Sequence, residues 1–188
     1  MTENENVLEQ QNTEKKGKGK VYTIVSWVLI GILTLLLAFF IYANFFCIKI
    51  TVEGESMYPT LNSGDQVVAS KYRKAEAGDI VVISGERKDA FIIKRVIATE
   101  GQTVKIEGGY VFVDGVKIDE PYLDEQGKTG AHFWTERTLE EGEVFFLGDN
   151  RQKSEDSRGY HGTCTVDQIV GVVPNWVVSL KGLIKIFI

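Results

Sequence analysis

Ser56 and Lys94 are the two side chains of this 188-residue sequence whose surroundings point to chemistry. A serine hydroxyl at neutral pH is a poor nucleophile, so a base must take its proton, and a lysine amine can do so once its pKa has been lowered. Ser56 opens the run Ser56-Met57-Tyr58-Pro59-Thr60-Leu61, which Pro59 keeps from continuing as helix or ladder, and a turn of this kind exposes a side chain. Gly54 lets the backbone approach a ligand closely, and the amide of Ser56 itself can donate to a developing oxyanion. Taken alone, the hexapeptide reads more readily as a plain turn.

Lys94 shifts that balance. In Phe91-Ile92-Ile93-Lys94-Arg95-Val96-Ile97, strand alternation groups Lys94 with Ile92 and Val96, and Arg95 with Ile93 and Ile97. Both faces are apolar, and a lysine among branched aliphatics loses hydration, which disfavours its ammonium form. A snorkelling lysine on an edge strand is the commoner fate of such a residue, so the serine is what makes it a base. A third cluster, Gly148 to Arg158, packs two short hydroxyls, several carboxylates and two arginines behind an apolar strand. Asp149 is expected to pair with Arg95, and Asp156 with Arg158, holding the loop rigid, so that Ser154 orients the Lys94 amine.

These segments need a scaffold, and the hydropathy pattern supplies one. Met1 to Lys20 is polar and without apolar periodicity, which predicts a disordered tail over 1–20. Residues 21–46 carry no charge and are long enough to cross a bilayer core of about 30 Å. They are too long for a cleaved leader and lack its small-residue cleavage pattern. Lys15, Lys16, Lys18 and Lys20 precede this helix, which predicts a cytoplasmic N-terminus and places 47–188 outside.

Beyond the helix the pattern turns period-two and β-branched, with strands expected at 48–52, 66–70, 80–83, 91–99, 103–107, 143–147 and 170–173. Tyr110 to Ile118 reads as a hairpin with Asp114-Gly115 at its tip. The expected fold is mainly β, a coil-rich, barrel-like domain behind one transmembrane helix. Asp119 to Gly142 reads as an exposed polar excursion, and Trp176 to Ile188 as an apolar tail in contact with lipid.

The formal net charge of −5 argues against a nucleic-acid partner. Cys47 and Cys164 are not expected to pair, and two histidines without neighbouring cysteines make no zinc set, so neither metal nor cofactor is expected.

Together, Ser-Met-x-Pro-Thr-Leu, Gly78-Asp79-Ile80-Val81-Val82, Lys94-Arg95-Val96-Ile97 and the Gly-Asp-Asn-Arg-x-x-Ser-x-Asp-Ser-Arg loop resemble the type I signal peptidases, in family order behind an N-terminal anchor. The small size and single anchor look like the Gram-positive branch. The resemblance implies Ser56 as nucleophile, Lys94 as general base, Ser154 as the hydroxyl that positions the lysine, and Asp149, Asp156 and Arg158 as supports of the loop. It further implies exported preproteins with small residues before the cleavage site as substrates, the lipid bilayer as the place of work, and no cofactor. Some relatives carry a serine where this chain has Gly54, which leaves the second oxyanion donor unassigned. The wording after Arg158 also departs from the family, and His161 admits a Ser56-His161-Asp156 triad as the rival enzyme reading, beside an anchored binding module without activity.

Overall fold

The structure, a computed structural model, describes residues 3–85, 90–124, 128–159 and 162–174. His161 and the tail from Trp176 lie outside them, and with them the triad and the lipid contact expected of the tail. The chain divides into two compact units, Met1–Phe45 and Phe46–Ile188.

The first unit is the helix α1 (Glu3–Phe46), which passes its last residue to the second. It starts inside the stretch expected to be a disordered tail. Glu, Gln and Lys are good helix formers, and extending an existing helix avoids the cost of nucleating a new one. Within it, Lys20–Tyr42 is long and apolar enough to cross a membrane, at about 1.5 Å of rise per residue. Its side chains are exposed throughout, as suits a single-pass anchor rather than a core helix.

The second unit is built of β1 (Cys47–Thr51), β2 (Gln66–Ser70), β3 (Ile80–Ser84), β4 (Phe91–Thr99), β5 (Thr103–Glu107), β6 (Tyr110–Val113), β7 (Val116–Lys117), β8 (Arg137–Thr138), β9 (Glu143–Leu147), β10 (Cys164–Thr165) and β11 (Ile169–Val173). They form a larger sheet in the order β1-β2-β11-β3-β4-β9-β10 and a smaller one in the order β7-β6-β5-β8. Among the described residues neither sheet closes on itself, so the expected barrel-like domain is two sheets and not a closed barrel. All pairings are antiparallel. The two-residue strands β8 and β10 are too short to show an alternating pattern, and the sequence gives no sign of them.

Asp114 (φ 52°) and Gly115 (φ 77°) both adopt the left-handed backbone that a tight two-residue hairpin between β6 and β7 requires. The segment expected to be an exposed excursion is instead pinned at intervals. Thr129 and Leu139 are buried, and Trp134 packs tilted against Phe145 with ring centroids 4.3 Å apart while donating its indole N–H to the Val104 carbonyl at 3.2 Å. Isolated anchoring residues spaced along a polar stretch leave no periodic trace.

Two features of the core position the site. Met57 and Leu61, both fully buried, pack with Ile80, Val82 and Ile93, and each contributes roughly 1.5–3 kcal/mol of burial. Strand β4 changes partner at Arg95: β3 runs along residues 91–95, whereas the pairing with β9 begins at Arg95–Leu147.

Candidate active site

The Ser56 segment is a single tight turn. Tyr58 N–H donates to the Glu55 carbonyl at 3.1 Å and Leu61 N–H to the Met57 carbonyl at 2.9 Å. With Met57 and Leu61 driven into the core, the half-buried Ser56 is left at the turn's start, facing β4. Its amide N–H has no partner among the described residues. Gly54, two residues before Ser56, is exposed and has φ +81°, a conformation that favours glycine.

Lys94 Nζ lies 2.8 Å from Ser56 Oγ, so the two residues singled out from the sequence meet directly. Lys94 is only 4% exposed and stands across from fully buried Val81 on β3. Burial pushes its pKa below the ordinary lysine value; the carboxylates of Asp156, Glu155 and Asp149 oppose the shift but do not reverse it. Lys94 makes no ion pair among the described residues, so nothing in direct contact locks a proton on the amine.

One residue on, Arg95 is gripped from several sides. Its Nε and Nη2 donate to the two carboxylate oxygens of Asp149 at 2.8 and 2.6 Å, and its Nη1 donates to the Gly78 carbonyl at 2.8 Å. Its guanidinium carbon stands 3.9 Å from the centre of the Tyr122 ring. Burial alone lowers the guanidinium pKa, but the bonds and charge of Asp149 outweigh it and the net direction is up. Gly78 can offer its carbonyl because its backbone is left-handed (φ +91°). Asp149 also accepts a 2.5 Å bond from the Thr60 hydroxyl, so the Ser56 turn, the Gly78 turn, β4 and the last loop are tied together at one buried carboxylate. The second expected pair is present too: Arg158 Nε and Nη2 donate to Asp156 at 2.7 and 2.9 Å, and Asp156 accepts the Gly148 N–H at 3.1 Å.

Ser154 departs from expectation. Its Oγ makes no hydrogen bond to Lys94; it is buried with no partner among the described residues and packs against Gly148. A side chain at Gly148 would have its Cβ 2.2 Å from Ser154 Oγ and 2.4 Å from the Ser56 carbonyl oxygen, so this glycine is what allows the two segments to approach. The loop nevertheless reaches the Ser56 backbone, because Asn150 N–H donates to the Ser56 carbonyl at 3.0 Å.

Sequence reasoning passed over Thr60, Asn150, Glu120 and Tyr122. Thr60 carried a usable signal, a hydroxyl held between Pro59 and a buried leucine. Asn150 acts through its backbone and leaves no mark in residue type. Glu120 lies far along the chain but accepts from Arg151 Nη2 at 2.5 Å and from the Tyr122 hydroxyl at 2.9 Å, bracing the loop from behind.

Ser56 and Lys94 open into a groove of about 620 Å³ whose lining includes the aliphatic residues Ile50, Val52, Ile92 and Ile93, together with Gly54. The arrangement offers a hydroxyl, a partly dehydrated amine in contact with it, a free amide beside it and an apolar trough leading to it. These are the parts needed for attack on a carbonyl group.

Residues 24–177 match the model of a family described as signal peptidase, peptidase S26. Signal peptidase I T of Bacillus subtilis (strain 168) is 35% identical over 182 residues, which cover 91% of this chain and 92% of that protein. Signal peptidase IB of Staphylococcus aureus (strain COL) is 35% identical over 169 residues, covering 80% of this chain and 87% of that one. A crystal structure of a signal peptidase I from Enterococcus faecalis aligns with a TM-score of 0.46 at 28% identity, over 54% of this chain and 98% of that chain.

Proposed function

The chain belongs to the signal peptidase family S26, and on that footing we propose that it is a membrane-anchored serine endopeptidase that cuts signal peptides from exported preproteins by a Ser56–Lys94 dyad. The observation that carries this reading is the 2.8 Å contact between a nearly inaccessible lysine amine and the serine hydroxyl. Neutral Lys94 takes the Ser56 proton as Oγ attacks the scissile carbonyl, and the Ser56 N–H donates to the oxyanion. The lysine then protonates the departing amine, leaving an acyl-enzyme, and in its neutral form activates the water that releases the acyl group. Gly54 offers backbone in the lining of the groove, and Arg95, Asp149, Asp156 and Arg158 hold the frame. Ser154 packs against Gly148 and is not bonded to Lys94, so its part is to fill the loop behind the dyad.

The apolar groove suits the end of a signal peptide, whose small residues before the junction would lie beside Ile92 and Val52. The N-terminus faces the cytoplasm, 21–46 crosses the bilayer, and 47–188 forms the catalytic unit outside. The test is cleavage of a preprotein by the detergent-solubilised full chain. Ser56→Ala and Lys94→Ala each abolish it, whereas His161→Ala leaves most of it. Loss with His161→Ala and retention with Lys94→Ala would transfer the base role to the histidine.

A further inference from the structure

Beside the catalytic groove lies a second hollow of about 320 Å³, bounded by Glu55, Tyr58, Asp124 and the stretch Asn150 to Lys153. Unlike the first it has no aliphatic side chain in its walls. The two hollows share Glu55 and Lys153, whose Oε2 and Nζ stand 2.6 Å apart, both side chains more than 60% exposed. The second hollow begins at the backbone of the nucleophile: Asn150, in its wall, donates its N–H to the Ser56 carbonyl, and Tyr58, opposite, donates to the carbonyl of Glu55.

A peptide cut at Ser56 must place one part on each side of that hydroxyl. The aliphatic groove fits the apolar end of a leader, and the departing part then passes the ion pair into a hollow lined by polar groups and one half-exposed tyrosine ring. We propose that this hollow receives the residues that follow the scissile bond, and that the Glu55–Lys153 pair at its mouth sets which charge is admitted there. The proposal rests on the peptidase reading of Ser56 and Lys94.

A solvent-exposed pair is held weakly, so a charged substrate residue can exchange with either partner. With both present the mouth is close to neutral. Glu55→Gln leaves Lys153 alone and favours acidic residues after the junction, and Lys153→Gln leaves Glu55 alone and favours basic ones. Asp124 and Arg151 also line the hollow, but they are common to every variant and cancel in a ratio; Arg151 is moreover engaged by Glu120.

The experiment uses the full chain in detergent with peptides that share one Ala-x-Ala junction and carry Glu, Lys or neutral residues at the three positions after it. The acidic-to-basic ratio of kcat/KM is expected to rise about two- to fivefold for Glu55→Gln, to fall by as much for Lys153→Gln, and to return towards wild type in the Glu55→Lys, Lys153→Glu swap. The differences should shrink near 1 M salt, where the screening length is about 3 Å. Binding of the same peptides to each variant carrying Ser56→Ala, read by fluorescence anisotropy, measures the hollow without cleavage. Cleavage with an unchanged ratio in every background overturns the proposal and spares the peptidase reading. Charge-dependent binding without cleavage by the wild type supports the hollow and overturns that reading. Charge-independent binding and cleavage together leave Glu55 and Lys153 an ordinary surface pair and refute the proposal.

Discussion

Arg95 and Asp149 hold each other through two bonds, 2.8 and 2.6 Å long, in a place where the aspartate side chain has no exposed surface at all. Lys94 is the residue before Arg95, so this pair sets where the strand carrying Lys94 lies. A pair of this kind is costly to break on one side only, because the remaining charge is left buried without compensation.

Asp149→Ala is therefore expected to destabilise the second unit by about 3–5 kcal/mol, read as a shift in urea denaturation of the detergent-solubilised chain. Arg95→Met with Asp149→Leu removes both charges and should recover most of the loss. A single variant as stable as wild type would mean that the pair is not what holds β4 in place.

The narrow gap at Gly148 gives a second expectation. In Gly148→Ala the added methyl would meet both the Ser154 hydroxyl and the Ser56 carbonyl oxygen, so the loop and the Ser56 turn must part. A displacement of about 1 Å at a reacting group costs on the order of 100-fold in rate, and a loss of that size in kcat/KM is expected. Adding Ser154→Gly frees only part of the space, because the Ser56 carbonyl belongs to the backbone. Full recovery in that double variant would show that Ser154 alone was crowded.

Activity should rise with pH as Lys94 loses its proton, and the rise should lie below the range of an ordinary lysine because burial favours the neutral amine. The charge of Glu155 opposes that shift by stabilising the ammonium form. Glu155→Gln should therefore move the rising limb of kcat/KM towards acid, increasing the rate about twofold at pH values below the inflection. A shift towards alkali, or a profile that stays flat with chemistry rate-limiting, would remove Lys94 from the role of base. Stability follows the same linkage: below the ordinary lysine value of 10.5 the unfolded chain holds the proton more tightly, so the cost of burying Lys94 is present at neutral pH and disappears as pH rises towards 10.5.

The longer strands were legible because each alternates or is apolar throughout over four or more residues, and the hairpin because Asp114-Gly115 matches the backbone its turn demands. Ser56 and Lys94 were legible as residue types out of place: a hydroxyl beside Pro59 and a charge between isoleucine and valine. The contacts that fix them were not, since the Asn150–Ser56 bond is made by backbone atoms and the clearance at Gly148 depends on two segments meeting in space. The tail fared worst, because a polar composition by itself does not separate a coil from the extension of an existing helix.

The late start of the β4–β9 pairing has a consequence for what the groove accepts. From Phe91 to Lys94 one edge of β4 is paired with no strand among the described residues, and an extended chain laid there would bond to it at every second residue. Proline has no N–H to give, so at the inward-bonding positions of such a chain it would forfeit a bond, whereas at the alternate positions it would pass unnoticed. Selection would then fall on backbone hydrogens as well as on side-chain size, with a period of two along the leader.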